Sequence, residues 1–319
     1  MSLLEVSGLT KHFPVRRGML GLSEGLVRAV DSVSFTLDVG ATLGLVGESG
    51  CGKTTTSKLI LGLEPPTAGE IRFAGEDILA AQETEARRRY RRSVQAVFQD
   101  PYASLDPRMR VGSIIAEPLV INEQSDAAGR RHRVRELLDV VGLPARAADL
   151  FPHEFSGGQR QRIAIARALA LSPKLIVLDE PVSALDVSIR AQILNLLRDL
   201  QTRLGVSYLF ISHDLAAVAH MSHTIAVMYL GKLVELGDAA AIALEPKHPY
   251  TKALFAAALP IDFDTKTEEA VLSGEVPSPL NPPSGCRFHT RCPYVLPQCA
   301  TEEPPLRSES GRLVACHLY

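Results

Sequence analysis

Short apolar runs alternate with longer amphipathic segments over most of the chain. Residues 41–46, 174–178 and 206–211 are apolar and bounded by turn residues, which predicts strands that are buried on both faces. Between such runs, apolar residues recur at helical spacing, as they do in residues 134–141. Strands that alternate with helices in this way predict an α/β fold with a mostly parallel core sheet.

The N-terminal region follows a different pattern. Residues 3–9 and 27–37 alternate apolar and polar side chains, which predicts an antiparallel β subdomain. A Gly-rich insert is expected between these strands, over residues 16–26. The fold is therefore expected to combine an antiparallel sheet with the parallel core.

Composition changes at about residue 260, where the chain becomes rich in proline. We therefore expect a main domain over residues 1–260, with a helical subdomain at about 100–155, and an irregular extension over residues 261–319. The extension is expected to begin after the main fold is complete. The chain has 319 residues, of which 46% are hydrophobic and 22% are charged, which is enough to bury a full globular core.

Charge and hydropathy argue against some classes of protein. The chain has 34 basic and 36 acidic residues, so its formal net charge of −2 gives no overall attraction for nucleic acid. The sequence offers neither a signal-peptide pattern at its start nor a run of about 18 apolar residues that could span a membrane. We therefore expect a cytoplasmic protein with no nucleic-acid partner.

A glycine-rich loop follows the first predicted parallel strand. Residues 47–55 read Gly-Glu-Ser-Gly-Cys-Gly-Lys-Thr-Thr, which fits the phosphate-binding pattern G-x-x-x-x-G-K-[ST]. The glycines let backbone N–H groups approach phosphate, Lys53 reaches the terminal phosphates, and the Thr54 hydroxyl binds Mg²⁺. The predicted nucleotide contacts of this loop come from Gly47, Ser49, Gly50, Cys51, Gly52, Lys53, Thr54 and Thr55, with Cys51 as a small residue at a variable position.

Two carboxylates end a second predicted buried strand. Asp179 and Glu180 follow the apolar run at 175–178. Beside a phosphate loop, Asp179 is expected to hold Mg²⁺ and Glu180 to deprotonate the water that attacks the γ-phosphate. The alternative is a strand that ends in a solvated acidic turn. Ligands of open α/β sheets bind at such strand ends, which favours the catalytic interpretation.

A second candidate anion site lies between these two motifs. Ser156 is a predicted N-cap, and the two glycines after it permit an anion to approach a helix N-terminus. The alternative is an ordinary capped helix start. Residues 155–162 read Phe-Ser-Gly-Gly-Gln-Arg-Gln-Arg, and their position between the phosphate loop and Leu-Asp-Glu resembles the signature of ATP-binding-cassette (ABC) ATPases.

The ABC resemblance implies roles for further residues. In this family the signature of one subunit completes the ATP site of the other, so Ser156, Gly157, Gly158 and Gln159 are expected to contact a partner's nucleotide. It also implies that Phe13 stacks on adenine, that Gln99 contacts Mg²⁺ or the attacking water, that Asp186 belongs to the D-loop, and that His213 contacts the γ-phosphate. The alternatives are a core aromatic for Phe13 and a structural role for His213.

Four of the five cysteines lie in the last 34 residues. A reducing cytosol disfavours disulfides, so a soft or borderline metal is the favoured interpretation and free thiols are the alternative. The spacing C-x5-C-x6-C-x16-C does not choose between zinc and an iron–sulfur centre. The candidate ligands are Cys286, Cys292, Cys299 and Cys316, with His289 and His317 as substitutes.

The extension also resembles that of the ATPases of dipeptide and oligopeptide importers. The residues that carry this resemblance are those at 153–155, 248–254, 285–294, 303–306 and 314–317, and residues 155–159 and 181–184 resemble the F-type member. The resemblance implies a [4Fe–4S] cluster, with Zn²⁺ as the alternative. It further implies a D-type paralogue as heterodimer partner, two membrane permease subunits, a separate substrate-binding protein, and a peripheral position on the cytoplasmic side of the cell inner membrane.

The resemblance implies ATP-driven import of di- or oligopeptides. Nickel or glutathione as the transported substrate is one alternative. The other is a soluble ABC ATPase that acts on nucleic acid or ribosomes, and the presence of one cassette without sustained heptads argues against it.

Overall fold

The computed structural model describes residues 1–17, 22–79, 85–99, 104–122, 125–258 and 274–319. The strands are β1 (Ser2–Arg17), β2 (Leu22–Asp38), β3 (Thr42–Val46), β4 (Ala68–Phe73), β5 (Glu76–Asp77), β6 (Val94–Val97), β7 (Leu175–Asp179), β8 (Ser207–Ile211), β9 (Thr224–Tyr229), β10 (Lys232–Asp238), β11 (Arg307–Glu309) and β12 (Arg312–Val314). The helices are α1 (Lys53–Ile60), α2 (Glu85–Ser93), α3 (Val111–Ile121), α4 (Ala127–Val140), α5 (Gly157–Ala168), α6 (Val187–Leu204), α7 (Leu215–Met221), α8 (Ala239–Leu244) and α9 (Pro249–Ala258).

The chain divides into two compact units that interleave in sequence. The first unit comprises Met1, Asp38–Ala41 and Ala80–Phe210. The second unit comprises Ser2–Leu37, Thr42–Leu79 and Ile211–Tyr319. Residues 274–319 therefore belong to the same unit as the phosphate loop.

In the first unit, strands lie in the order β8–β7–β6. β6 and β7 are parallel, with Val94 opposite Leu175 and Val97 opposite Leu178. Every residue of β7 and of β8 is buried, as expected for strands covered on both faces. The strands predicted at 174–178 and 206–211 are confirmed.

The helices of the first unit follow from their apolar spacing. Leu137 and Leu138 of α4 are buried, and this helix lies within the region predicted to be helical. In α6, Ile193, Leu194, Leu197 and Leu200 lie on one buried face. Gly205 then ends the helix in the left-handed conformation at φ 67°.

In the second unit, strands lie in the order β11–β12–β10–β9–β3. β3 is parallel to β9, whereas β9, β10, β12 and β11 pair antiparallel. The extension thus contributes two strands and is less irregular than predicted. The physical reason is that β10 offers unpaired backbone groups to β12, where Leu313 lies opposite Leu236 and Val314 is buried.

A separate sheet of the second unit has the order β2–β1–β4–β5. β1 and β4 are antiparallel, with Leu4 opposite Phe73 and Val6 opposite Ile71. The antiparallel subdomain is therefore confirmed. The insert predicted over residues 16–26 is wrong in extent, because β1 continues to Arg17 and β2 already starts at Leu22, while residues 18–21 lie outside the described residues.

Within the described ranges, no helix is long and apolar enough to cross a bilayer.

Candidate functional site

The phosphate loop lies in the second unit between β3 and α1. The chain leaves the buried strand β3 through Gly47, whose φ of 148° is in the region that favours glycine. A Cβ on Gly47 would lie 2.2 Å from the carbonyl oxygen of Met228, and one on Gly52 would lie 2.3 Å from that of Ala29. Both glycines are therefore required by close backbone approach.

Lys53 begins α1, and its side chain turns back over the loop. The Nζ atom donates to the carbonyl oxygens of Gly47 at 2.7 Å and of Glu48 at 3.0 Å. The Lys53 side chain is buried, whereas Thr54 is exposed. These positions suit the predicted contacts to phosphate and Mg²⁺, which stay predictions.

The other loop residues differ in exposure. Ser49 and Gly50 are exposed and Thr55 is half-buried. Cys51 is buried, and burial raises the pKa of its thiol although the Lys53 ammonium acts in the opposite direction. Cys51 therefore fills space as a neutral small side chain, and its nucleotide contact stays a prediction.

Glu48 is a loop residue that the sequence analysis did not single out. Its N–H donates to the Tyr250 hydroxyl at 2.8 Å. Its carboxylate accepts two hydrogen bonds from the guanidinium of Arg291, at 2.8 and 3.1 Å. An acidic residue inside an anion-binding loop is the signal that could have drawn attention to Glu48, since such a charge needs a cation nearby. Nothing local to residue 48 identifies that cation.

His213 lies just after β8, in the second unit, and its side chain is exposed. The Ser212 hydroxyl accepts the N–H of Asp214 at 3.0 Å, and the Asp214 carboxylate accepts the N–H of Ala217 at 3.0 Å. Asp214 thereby caps α7. The residues on either side of His213 fix its backbone and leave the imidazole accessible.

In the first unit, Asp179 is the last residue of β7 and is buried. Glu180 follows with a φ of 52°, a left-handed conformation that is uncommon for this residue type. The N–H and hydroxyl of Ser183 donate to the Glu180 carbonyl oxygen at 3.4 and 3.1 Å. This turn holds Glu180 in a strained backbone conformation, of the kind that is concentrated at functional sites.

The signature sequence starts α5 with a capping box. The Ser156 hydroxyl accepts the N–H of Gln159 at 3.4 Å, and the Gln159 side-chain oxygen accepts the N–H of Ser156 at 3.0 Å. Gln159 therefore has a local structural role in addition to its predicted nucleotide contact. Ser156, Gly158, Gln159 and Arg162 line a cavity of about 280 Å³. The predicted N-cap is confirmed.

The remaining predicted residues are placed as follows. Gln99 follows β6 and is exposed, and Asp186 is exposed at the start of α6. Phe13 is half-buried in β1, where the Nζ atom of Lys11 lies 4.8 Å from its ring centroid. The first unit holds Gln99, Asp186, both strand-end carboxylates and the signature, while the second unit holds Phe13, the phosphate loop, His213 and the extension.

Each of the four extension thiols accepts a backbone hydrogen bond. The Sγ atom of Cys292 accepts the N–H of Tyr294 at 3.4 Å, and that of Cys299 accepts the N–H of Leu296 at 3.4 Å. Cys286 and Cys316 interact in the same way with the backbone of the residue two positions further along the chain. Burial raises the pKa of the Cys286 thiol to about 11, and the other three cysteines act on it in the same direction.

The structure does not confirm a metal centre at these cysteines. Across the part of the chain that the structure describes, no three His, Cys, Asp or Glu side chains converge as a ready-made metal site. His289 and His317, the predicted substitute ligands, each hydrogen-bond to a carbonyl oxygen, of Cys286 at 2.8 Å and of Glu302 at 2.9 Å.

Two family models match the chain. The model described as ABC transporter matches residues 30–183, and the model described as oligopeptide/dipeptide transporter, C-terminal region, matches residues 234–299. The matched regions contain the phosphate loop, the signature and three of the four extension cysteines.

Curated relatives are similar along the whole chain. A probable peptide ABC transporter ATP-binding protein of Sinorhizobium fredii, y4tS, is 52% identical over 99% of this chain and 90% of its own length. The dipeptide transport ATP-binding protein DppF of Escherichia coli is 50% identical over 98% of this chain and 93% of its own. The oligopeptide transport ATP-binding protein AppF of Bacillus subtilis is 50% identical over 100% of this chain and 98% of its own.

Solved structures with the same fold cover about three quarters of the chain. One is cbiO1 of Clostridium perfringens, part of the ABC transporter complex cbiONQ, with a TM-score of 0.65, 26% identity, and coverage of 76% of this chain and 91% of that one. Another is the ATP-binding cassette MJ0796, a dimer in a post-hydrolysis state bound to ADP and Pi. Its TM-score is 0.64, with 28% identity and coverage of 74% of this chain and 98% of that one.

Proposed function

This chain belongs to the ATP-binding subunits of the oligopeptide/dipeptide ABC transporter family, and we propose that it hydrolyses ATP to power peptide import. The observation that carries the proposal is the full-length similarity to relatives named for dipeptide and oligopeptide transport, at 50% identity. The match to the C-terminal region characteristic of these transporters supports the same substrate class. Import of nickel or glutathione is the alternative that the uptake experiment described below distinguishes from peptide import.

The proposal gives each ATP-site residue a chemical role. Lys53 and the loop N–H groups would neutralise the β- and γ-phosphates, and Thr54 and Asp179 are each proposed as Mg²⁺ ligands. Glu180 accepts a proton from the attacking water, because a carboxylate is a competent general base once it is positioned. Gln99 and His213 orient the water and the γ-phosphate, and Phe13 stacks on adenine.

Transport requires partners. The signature residues Ser156, Gly157, Gly158 and Gln159 would contact ATP held by a second ATP-binding subunit, for which a D-type paralogue is the proposed partner, and Asp186 would lie at the same interface. Two permease subunits would convert closure of the ATP-binding pair into movement of the substrate, and a substrate-binding protein would deliver the peptide. The chain would then act peripherally, on the cytoplasmic side of the cell inner membrane.

The extension is proposed to hold a [4Fe–4S] cluster through Cys286, Cys292, Cys299 and Cys316, with Zn²⁺ as the alternative. Four cysteines whose sulfur atoms each accept a backbone N–H support the proposal, because such hydrogen bonds stabilise thiolate ligands. When bound, the cluster supplies iron–thiolate bonds that cross-link the proline-rich segment.

Iron and zinc analysis of anaerobically purified protein tests the proposed cluster. About four irons per chain with broad absorbance near ~400 nm support the cluster. Stoichiometric zinc without iron excludes it.

The transport proposal is tested by reconstitution. The complete transporter, with its partner subunits and binding protein, is placed in proteoliposomes, and uptake of a labelled dipeptide is measured with and without Mg-ATP. We expect ATP-dependent uptake that is lost when this subunit carries Glu180→Gln. Uptake of nickel or glutathione in place of peptides would reject the substrate class while leaving the ATPase assignment intact.

A further inference from the structure

A short segment of the cysteine-containing extension, residues 286–292, contacts the phosphate loop, and we name it the anchor segment. Both ends of the anchor segment are cysteines, and Arg287, Phe288 and Arg291 lie between them. All three side chains are buried in the second unit. Each of them contacts a part of that unit that is distant in sequence.

Arg291 forms a two-pronged ion pair with Glu48. Its two terminal nitrogens donate to the two carboxylate oxygens at 2.8 and 3.1 Å, the geometry in which arginine binds a carboxylate most strongly. The Arg291 side chain is only 5% exposed, and that of Glu48 is 23% exposed. Solvent therefore screens this pair less than a surface salt bridge.

The surroundings of Arg291 hold it in this orientation. Its guanidinium lies 5.9 Å from the ring centroid of Tyr229 and 6.0 Å from that of Phe288, within the range of cation–π attraction. Phe288 in turn packs against Tyr229 and Tyr250, with ring centroids 5.3 and 5.4 Å apart. Arg287 adds a second ionic anchor, because it bonds to Asp31 and to the carbonyl oxygen of Leu230.

Glu48 is fixed through its backbone as well as its side chain. The Tyr250 hydroxyl accepts its N–H, and its carbonyl oxygen accepts a hydrogen bond from Lys53. At the far end of the loop, the Gly231 N–H donates to the carbonyl oxygen of Cys51 at 2.8 Å. Movement of Glu48 would therefore be transmitted to Lys53 and to the backbone that cradles phosphate.

We propose that Arg291 is a positioning residue for ATP binding, which acts by neutralising Glu48 and fixing the phosphate loop. A carboxylate beside the phosphates of ATP would repel them unless it were paired, because like charges at short range oppose each other. The extension is thereby a functional part of the nucleotide site. This inference rests on the assignment of residues 47–54 to ATP binding and is independent of the transported substrate.

The test is a double-mutant cycle on the full chain, read as the dissociation constant of a fluorescent ATP analogue with Mg²⁺. We expect Arg291→Gln to weaken binding about tenfold, equivalent to about 1.4 kcal/mol. Glu48→Gln alone should weaken binding less than Arg291→Gln, because it breaks the ion pair without leaving a carboxylate to repel phosphate, and the double variant Glu48→Gln with Arg291→Gln should bind like Glu48→Gln alone. Arg307→Gln is the matched control, since Arg307 is an exposed arginine of the same extension.

Two further measurements separate positioning from a general loss of structure. The Arg291→Gln penalty should shrink at high ionic strength, because screening weakens the repulsion between Glu48 and phosphate. Arg291→Lys, which keeps the charge and loses the two-pronged geometry, should fall between wild type and Arg291→Gln.

Three outcomes would overturn the proposal. The first is that Arg291→Gln binds the ATP analogue as tightly as Arg307→Gln does. If Lys53→Ala still loses ATP binding in that case, the assignment of the phosphate loop remains valid. The second is a loss in the double variant as large as in Arg291→Gln. If Arg291→Gln fails to fold, Arg291→Lys and the double variant are compared with wild type instead. The third outcome is an affinity identical to that of wild type in both of these variants.

Discussion

The phosphate loop and the anchor segment differ in the sequence separation of the residues that they contact. The loop is a contiguous motif, and its main contacts, such as Lys53 to Gly47, are made within a few residues. The anchor segment pairs with residues far away in sequence, since Arg291 lies 243 residues from Glu48 and Arg287 lies 256 residues from Asp31. The residues that bind phosphate are therefore close together in the sequence. The residues that hold the phosphate loop in position come from distant parts of the chain.

This difference revises one expectation about the extension. Its proline-rich composition predicts a segment that begins after the main fold is complete. Instead, β12 extends the sheet that contains β10, and the anchor segment contacts the loop that precedes α1. Changes in the extension are therefore expected to affect nucleotide binding.

The largest expected effect lies in the local chemistry of the strand end. Glu180→Gln should retain ATP binding and lower the hydrolysis rate of the assembled transporter by roughly 100- to 10,000-fold, the usual contribution of a general base. The amide keeps the shape of the carboxylate and cannot accept the proton. The measurement is phosphate release per site, with ATP affinity as its control. Hydrolysis at the wild-type rate would mean that another group is the base.

The next effect tests how much of the fold depends on the extension. Arg312, in β12, lies 3.5 Å from the carboxylate of Glu235, which is fully buried and accepts backbone N–H groups of Lys247 and His248. Arg312→Ala should lower the free energy of unfolding by about 3–5 kcal/mol, because it leaves a buried charge without its cation. Urea unfolding checks this value. The exposed Arg307, changed to alanine, should alter it by about 0.5 kcal/mol or less.

Equal effects of Arg312→Ala and Arg307→Ala would show that the extension is not needed for the stability of the second unit.

Much of the fold follows from the sequence wherever the signal is local. Apolar runs locate β3, β7 and β8 because a strand covered on both faces needs uninterrupted apolar residues. The capping residue Ser156 is predicted for a similar reason, since its hydrogen bond spans three residues.

The contacts of the extension could not be predicted in this way. Arg287 and Arg291 look like ordinary surface charges in the sequence, and only the fold brings them to Asp31 and Glu48. The strand β12 is three residues long, too short for a pattern of alternation, and it is defined by its pairing with β10.

A smaller effect concerns the pH dependence of the aromatic cluster around Phe288. Burial lowers the pKa of His248 to about 3, from an ordinary value of 6.5, and its Nδ1 accepts the N–H of Tyr250. Between these two pKa values the unfolded chain binds a proton that the folded chain excludes, so stability falls as the pH falls below 6.5. Protonation of His248 in the unfolded chain should lower the free energy of unfolding by about 2 kcal/mol between pH 6.5 and pH 5.

Urea unfolding at both pH values measures that loss, and His248→Gln should reduce the difference by the same amount. His220→Gln is the control, because His220 is exposed. An unchanged pH difference in the His248 variant would show that the folded protein accommodates the charged ring.

The most direct test of the central claim, that the extension holds the phosphate loop in place, is hydrogen exchange of the amides at residues 47–53. In wild type the Glu48 N–H is protected by its bond to Tyr250. We expect Arg291→Gln to speed exchange across the loop by about tenfold, as a local opening that leaves the core strands protected, and we expect Arg307→Gln to leave it unchanged. Loop exchange in folded Arg291→Gln protein at the wild-type rate would contradict the claim.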